Sequence, residues 1–302
     1  MARIYEQAYF GGKIVPLAEA NVSIASSAVL YGLSVYTVFP ICAGDDGLYA
    51  FRIKDHAKRL TNSARIIGID AQVTEDELLA AATQVIKANA VTEDAFVRVT
   101  IHVTDLVPGV RSRGLGTTLS IFVYEATCIL PKDGARLKTS VWRRVPDYAI
   151  PSRAKVNGAY VNSVLARQDA LDSGYDDCIF LDVSGHVCEL SAANIFLIRD
   201  GVLHTPGQAS DILEGISRST ILQLAGDLGL KTMERSIDLT ELYVADEVFA
   251  CGTSAFLTPV LQIDKRVVGN GQAGEITKKL QKLYFEVLHG NTNEYDSFLT
   301  KI

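Results

Sequence analysis

The sequence lacks the features that would place it in a membrane, in an oxidising compartment or around a metal ion. No apolar run approaches the roughly 20 residues that span a bilayer, and residues 1–10 are too polar for the core of a signal peptide. The 5 cysteines form no Cys-x-x-Cys pair, and the 5 histidines show no His-Glu-x-x-His spacing. We therefore expect a cytoplasmic protein with reduced cysteines, no membrane contact and no bound metal ion.

Basic charge is also scarce. The chain has 29 Lys and Arg against 35 Asp and Glu, which gives a net charge of -6 and a pI near 5.4. This balance argues against nucleic acid as the main partner. With 302 residues, of which 48% are hydrophobic and 21% charged, the composition is that of a globular protein long enough for two domains.

Hydrophobic periodicity and turn signals predict the elements of each half of the chain. In the first half they predict a hairpin over 1–20, a turn over 44–47, helices over 53–67 and 74–88, and strands over 96–104 and 117–125. In the second half they predict strands over 137–144, 178–183, 186–190, 194–198 and 247–251, and helices over 159–172, 217–228 and 274–288. Residues 130–134 have the composition of a linker, so we predict a small α+β domain over 1–129 and a large domain over 135–302.

The strand predicted at 96–104 has two unlike faces. One face carries only β-branched residues and is expected to lie in a core: Val97, Val99, Ile101 and Val103. The other face carries Phe96, Arg98 and His102. These side chains must meet water, a partner or a cleft.

The stretch around Lys155 is irregular by its residue types. Pro151 biases the residue before it toward extended backbone, and the helical period resumes only after Gly158. We expect Lys155 on a short extended or irregular segment just before a helix. Nearby cations lower the pKa of a lysine from its reference of about 10.4, and the amine can then form a Schiff base with a carbonyl. The cations closest in sequence are Arg143, Arg144 and Arg153.

Taken alone, a lysine among arginines is more often a solvated basic loop. Three motifs further along the chain change this interpretation. They are Glu-Leu-Ser-Ala-Ala-Asn-Ile-Phe at 189–196, Leu-Glu-Gly-Ile-Ser-Arg at 213–218 and Gly-Thr-Ser-Ala at 252–255. With Lys155 they resemble the class IV pyridoxal-phosphate enzymes, and most of all the branched-chain amino acid aminotransferases. The resemblance covers nearly the whole chain. It implies fold type IV, an α+β fold whose large domain is β-rich and barrel-like with flanking helices, and pyridoxal 5'-phosphate as a cofactor held between the domains.

The resemblance also implies which residues hold this cofactor. Lys155 bonds the aldehyde and then moves protons as general acid and base, and Glu189 pairs with the ring nitrogen so that the ring stays protonated. Tyr160 contacts the ring hydroxyl oxygen, and Leu213 packs on the ring face. The phosphate is expected at a helix N-terminus, where backbone N–H groups and the helix dipole favour an anion. Its implied contacts are Gly215, Ile216, Ser217, Thr253, Ser254 and Arg59.

The substrate pocket departs from the usual family pattern. That pattern is Val-Phe-Glu-Gly-x-Arg, whereas the chain has Tyr36, Val38 and Pro40 at the phenylalanine, glycine and arginine positions. Tyrosine and valine here resemble the (R)-selective amine aminotransferases, but Phe96 and Arg98 resemble the branched-chain enzymes. The implied substrate-binding residues are Tyr31, Tyr36, Val38, Phe96, Arg98, Ser254 and Ala255.

We therefore expect ping-pong transfer of an amino group from L-leucine, L-isoleucine or L-valine to 2-oxoglutarate through pyridoxamine phosphate. The rivals are an (R)-amine or D-amino-acid aminotransferase, an aminodeoxychorismate-lyase-type enzyme and a non-catalytic binding protein on the same fold. The partners are then small amino donors and 2-oxo acids. A homodimer or higher oligomer is also implied, because in the family Tyr31 and the loop over 105–113 reach a neighbouring subunit's site. The resemblance assigns no role to Arg111 and Arg113 of that loop.

Overall fold

The computed structural model describes residues 2–44, 46–106 and 109–302. The strands are β1 (Ile4–Phe10), β2 (Lys13–Pro16), β3 (Ser34–Gly44), β4 (Gly47–Phe51), β5 (Ala95–Val103), β6 (Thr117–Glu125), β7 (Ala135–Arg143), β8 (Asp177–Leu181), β9 (Val187–Leu190), β10 (Asn194–Arg199), β11 (Val202–Pro206), β12 (Thr232–Arg235), β13 (Glu247–Gly252), β14 (Phe256–Ile263), β15 (Arg266–Val267) and β16 (Leu299–Lys301). The α-helices are α1 (Ser27–Leu30), α2 (Ile53–Ile66), α3 (Glu75–Ala88), α4 (Tyr160–Asp172), α5 (Ile216–Asp227), α6 (Leu239–Tyr243) and α7 (Glu275–Leu288). Within these described ranges no helix is long and apolar enough to cross a membrane.

The chain forms two compact units. The first consists of Met1–Thr127, Ala154–Ala159 and Val287–Ile302, and the second of Cys128–Arg153 and Tyr160–Glu286. The predicted domains used a single linker at 130–134, whereas the first unit also includes the lysine segment and the C-terminal tail. Pairing of β16 with β4 adds that tail to the first unit's sheet.

The first unit is a seven-stranded antiparallel sheet covered by α2 and α3, in the strand order β16-β4-β3-β5-β6-β1-β2. The strands and helices expected for a small α+β domain are therefore confirmed. The apolar face of β5 is core as predicted, since Val97 and Val99 are fully buried. Helix α3 begins with the capping box expected at Thr74, whose side chain accepts the backbone N–H of Glu77.

The second unit contains a closed barrel of six strands. Strands β10, β13, β14, β7, β8 and β9 pair in that order, and β9 returns to β10 through the register pair Glu189 and Asn194. Closure leaves these strands no open edge within the barrel. This confirms the expected barrel-like domain, and helices α4 and α5 lie near their predicted bounds.

Several elements were not predicted, and β14 is the most important because it pairs with both β13 and β7. Its sequence contains Pro259, which cannot donate to a ladder and argues against a central strand. The register nevertheless pairs Pro259 with Phe249 of β13. Asp45 of the predicted 44–47 turn, and Val107 and Pro108 of the 105–113 loop, lie outside the described residues.

Candidate active site

The segment around Lys155 is held to the first unit by its backbone. The Lys155 N–H donates to the Ser63 hydroxyl oxygen at 3.1 Å, and the Lys155 carbonyl accepts the Tyr36 N–H at 3.0 Å. Val156 forms an antiparallel bridge with Val35 of β3. The prediction of a short extended segment before a helix is confirmed, because α4 begins at Tyr160. These backbone bonds fix the position of the Lys155 main chain, so the position of the amine depends only on the side-chain torsions.

Two glycines allow this close approach of the lysine segment to the chain before β3. A Cβ atom at Gly32 would lie 2.8 Å from the Gly158 Cα, and Gly32 has a φ of +66°. Both the space and the left-handed backbone therefore require glycine at position 32. The turn at Gly32 leads into Ser34, and the Ser34 carbonyl accepts the Asn157 N–H of the lysine segment at 2.9 Å.

The side chains near Lys155 combine one aromatic ring with a second cation. The Lys155 Nζ lies 4.9 Å from the centroid of the Tyr36 ring, and the Arg98 Cζ lies 3.8 Å from the same centroid. Arg98 also donates to the Asn157 Oδ1 at 2.6 Å. His102, on the same face of β5, adds no charge near neutral pH, because burial and then the charge of Arg98 lower its pKa to about 4.

Four of the predicted pocket residues, Tyr36, Val38, Phe96 and Arg98, lie on the adjacent strands β3 and β5. In the antiparallel register of β3 and β5, Val38 stands opposite Arg98 and Pro40 stands opposite Phe96. Phe96 is fully buried. Tyr31, at the C-terminal end of α1, is 42% exposed and so differs from the buried Val38 and Phe96.

Arg59 belongs to a buried polar network that sequence reasoning missed. Its Nη2 donates to the Thr37 Oγ1 at 3.1 Å, and the same oxygen lies 2.7 Å from the His56 Nδ1. Burial first, and then the charges of nearby cations, hold the pKa of His56 well below its ordinary value. The Thr37 hydroxyl oxygen therefore accepts from Arg59 and is also hydrogen-bonded to the neutral His56 ring. The chain of bonds sets the direction of the Arg59 guanidinium.

Glu189 is the buried carboxylate of the second unit, and it is 6% exposed. Its Oε1 pairs with the Arg144 Nη2 at 2.9 Å. Its Oε2 accepts the Leu213 N–H and the Asn194 Nδ2 donor, each at 3.1 Å. The guanidinium and the two neutral donors offset the free energy of burying a charge at the end of a barrel strand.

Asn194 connects this carboxylate to the segment before α5. Its Nδ2 also donates to the Leu213 carbonyl at 3.0 Å. A Cβ at Gly215 would lie 2.1 Å from the Asn194 Oδ1, so only glycine fits beside this amide. Gly215 is the N-cap residue of α5, and no side chain caps that helix. Its first turn therefore presents backbone donors without a competing side-chain oxygen.

The other predicted cofactor residues of the second unit lie at element ends. Ile216 and Ser217 begin α5, and the Ser217 Oγ accepts from the Tyr284 hydroxyl at 3.1 Å. Thr253 and Ser254 lie between β13 and β14, where the Ser254 carbonyl accepts the Ile129 N–H at 2.9 Å. Ala255 follows them and is fully buried.

The three arginines near Lys155 in sequence each have a partner in the second unit. Arg144 pairs with Glu189 as described. The Arg153 Nε pairs with the Glu214 Oε1 at 2.9 Å, and the Arg143 Nη1 donates to the Ser140 carbonyl at 3.2 Å. Their suggested effect on the lysine stays a prediction. The ion pair between Arg144 and Glu189 was not predicted from the sequence. The available signals were the prolines that follow Arg144 and the acidic residue of the 189–196 motif.

The fold and these motifs match a known class of enzymes. The sequence profile of the class IV aminotransferase family matches residues 35–263, from the start of β3 to the end of β14. The chain therefore belongs to the class IV aminotransferase family.

Within this family, the chain is similar over nearly its full length to branched-chain aminotransferases. A probable branched-chain-amino-acid aminotransferase of Aquifex aeolicus is 38% identical over 299 residues, which cover 98% of this chain and 96% of the relative. A crystal structure of the branched-chain aminotransferase from Thermoproteus uzoniensis with norvaline has a TM-score of 0.95 at 37% identity and covers 98% of this chain and 99% of that one. The T.th. branched-chain amino acid aminotransferase complexed with N-(5'-phosphopyridoxyl)-L-glutamate has a TM-score of 0.93 at 35% identity, with 98% of both chains covered.

The contact between Gly215 and Asn194 generates a stability prediction. Gly215→Ala should lower the free energy of unfolding by about 1–3 kcal/mol, because the new methyl overlaps an amide that Glu189 and Leu213 hold in place. Urea denaturation followed by circular dichroism measures this change. Gly226→Ala is the matched control in the same helix, since nothing lies within 4 Å of its added Cβ. Equal effects of the two substitutions would contradict the packing described at Gly215.

Proposed function

We propose that this chain transfers amino groups from branched-chain L-amino acids to 2-oxoglutarate with pyridoxal 5'-phosphate as its cofactor. The observation that carries the proposal is the buried Glu189 carboxylate, held by Arg144 in a chain that matches branched-chain aminotransferases over its full length. The T.th. relative supports both halves of it. Its ligand joins a phosphopyridoxyl group to glutamate, the amino acid that corresponds to 2-oxoglutarate.

Each unit supplies side chains of the chemical types that pyridoxal phosphate requires. Ser217 lies in the uncapped first turn of α5, where backbone N–H groups suit a phosphate. Arg59 adds a cation whose direction is set by Thr37. Glu189 offers an anion for a protonated ring nitrogen, and Lys155 offers a primary amine for the aldehyde. When bound, the cofactor supplies an electron sink for the charge that develops at the amino donor's Cα.

The residues of the chain then have separate tasks. The Lys155 amine takes the proton from the donor Cα and returns a proton on the acceptor side, as general base and acid. Its backbone bonds to Ser63 and Tyr36 hold the origin of that side chain constant during both transfers. Glu189 keeps the proton at the ring nitrogen, and Arg144 keeps Glu189 in place. Tyr160 and Leu213 contact the ring in this proposal, and Thr253 joins the phosphate donors.

A lysine substitution tests the catalytic role. Lys155→Ala should lower turnover with L-leucine by at least about 10⁴-fold and remove the visible absorbance of the bound cofactor, because nucleophile and proton carrier are lost together. Borohydride reduction of the wild-type holoenzyme and peptide mass spectrometry should place the phosphopyridoxyl group on Lys155. Lys54→Ala, at an exposed lysine of α2, is the control and should keep both properties. Label on another lysine, or near-normal turnover of Lys155→Ala, would exclude this role.

A second activity toward (R)-amines is supported by the pocket strands. Val38 stands where the family pattern has glycine, and it lies opposite Arg98 in the sheet register. Pro40 replaces a cation of that pattern. These two residues make the wall of the substrate pocket narrower and less charged, which favours an apolar substituent on the amino donor. A change of one methylene in such a pocket is worth about 1–3 kcal/mol of discrimination between substrates. We therefore expect measurable reaction with (R)-1-phenylethylamine alongside the L-amino acids.

Arg98 should distinguish these two donors. If it binds the substrate carboxylate, Arg98→Ala should slow the half-reaction with L-leucine by about 10–100-fold, the worth of a hydrogen bond to a charged group, and spare (R)-1-phenylethylamine. Stopped-flow half-reactions with each donor measure the ratio. Asn157→Ala is the control, because it removes the side-chain bonds of Asn157 to Arg98 and Ser34 but keeps the guanidinium, and it should affect both donors alike. Equal losses for both donors in Arg98→Ala would mean that Arg98 is structural.

Assembly and location are part of the proposal. We expect a homodimer or larger oligomer, which would cover exposed apolar side chains such as Leu30 at 51%, Leu106 at 62% and Val110 at 88% exposure. A cytoplasmic location is supported by the cysteines, all five of which are free.

A further inference from the structure

Three potential metal ligands that have no task in the proposed transamination meet in the first unit. Cys42 lies near the end of β3, Asp94 just before β5, and His289 directly after α7. One donor atom of each lies within 4.8 Å of the others. The thiol is buried, whereas the carboxylate and the imidazole are partly exposed.

We propose that Cys42, Asp94 and His289 form a binding site for one divalent transition-metal ion of the zinc type. A thiolate, an imidazole and a carboxylate are the ligands that Zn²⁺ takes from proteins. Hard ions such as Mg²⁺ and Ca²⁺ prefer oxygen ligands alone, so the buried sulfur selects against them. Three protein ligands leave a fourth tetrahedral position for water on the exposed side of Asp94 and His289.

The distances are close to those of a tetrahedral site. Zn²⁺ bonds of about 2.0–2.3 Å place neighbouring ligand atoms roughly 3.3–3.6 Å apart. The Asp94 Oδ2 and the His289 Nε2 are 2.9 Å apart and need to separate only slightly. All donor separations are within 4.8 Å, so none must shorten by more than about 1.5 Å. The side chains of Asp94 and His289 are 42% and 31% exposed, so both can rotate without disturbing the core.

Electrostatics at the site favour a cation. Burial, and then the Asp94 charge, raise the pKa of the Cys42 thiol. A dication among these ligands reverses both effects, because it stabilises the thiolate and neutralises its repulsion with the carboxylate. The Asp94 Oδ1 accepts the Ala43 N–H at 2.9 Å, which aims the second oxygen at His289. Such backbone support is typical of carboxylate ligands.

Titration with Co²⁺ tests the proposal directly. The chelator-treated holoenzyme should bind about one equivalent of Co²⁺ and develop the thiolate charge-transfer absorption and the long-wavelength visible bands of a tetrahedral Co–S site. Cys42→Ser should abolish the charge-transfer absorption. Asp94→Asn and His289→Gln, at partly exposed positions where misfolding is less of a risk, should weaken binding at least about 10–100-fold, the range known even for supporting residues.

The control is Cys178→Ser, which removes another buried thiol whose pKa is raised by burial. It should retain the cobalt spectrum. Zn²⁺ should also raise the Tm of the wild-type holoenzyme and leave that of His289→Gln unchanged. Absence of a thiolate–cobalt band in the wild type, or its persistence in Cys42→Ser, would overturn the proposal.

Discussion

A carboxylate buried at the end of a barrel strand destabilises a protein unless cations or donors surround it. In this chain Glu189 receives one guanidinium, one backbone N–H and one amide, from Arg144, Leu213 and Asn194. Each donor comes from a different part of the second unit. The barrel closure at Asn194, the segment before α5 and the residue that follows β7 are therefore tied to one charge.

This arrangement connects stability with chemistry. Removing Arg144 would leave the Glu189 charge buried with two neutral donors, an outcome that typically lowers stability by about 3–5 kcal/mol. The ion pair with Arg144 also keeps the Glu189 carboxylate charged, as it must be to hold a proton on a ring nitrogen through repeated reaction cycles. Asn194 adds a second connection, because it bonds both Glu189 and Leu213 while it packs on Gly215. Asn194 therefore links the buried carboxylate to the N-cap residue of α5.

Much of this could be predicted from local sequence. The core face of β5, the capping box at Thr74 and the extended lysine segment follow from period, capping and proline rules that act within a few residues. The class of the enzyme followed from motifs whose order is itself a long-range constraint. Pairings between distant residues could not be predicted. The bond between Arg144 and Glu189 depends on how β7, β8 and β9 are ordered in the barrel.

The network around Arg59 and the cluster at Cys42 were missed for the same reason. Thr37 and His56 are ordinary residues of a strand and a helix until the fold places them 2.7 Å apart. The prediction of no bound metal ion rested on the absence of a short His or Cys spacing, which detects only ligands that lie close together in sequence. Cys42 and His289 meet because the C-terminal tail rejoins the first unit.

The most direct measurement is the rate of the L-leucine half-reaction in Glu189→Gln. The amide keeps the size of the side chain and leaves the phosphate donors unchanged, so cofactor should still bind at full occupancy. It no longer favours a proton on the ring nitrogen, and the rate should fall by about 10²-fold or more. Full cofactor occupancy with an unchanged rate would contradict the account, because Glu189 would then be a structural carboxylate alone.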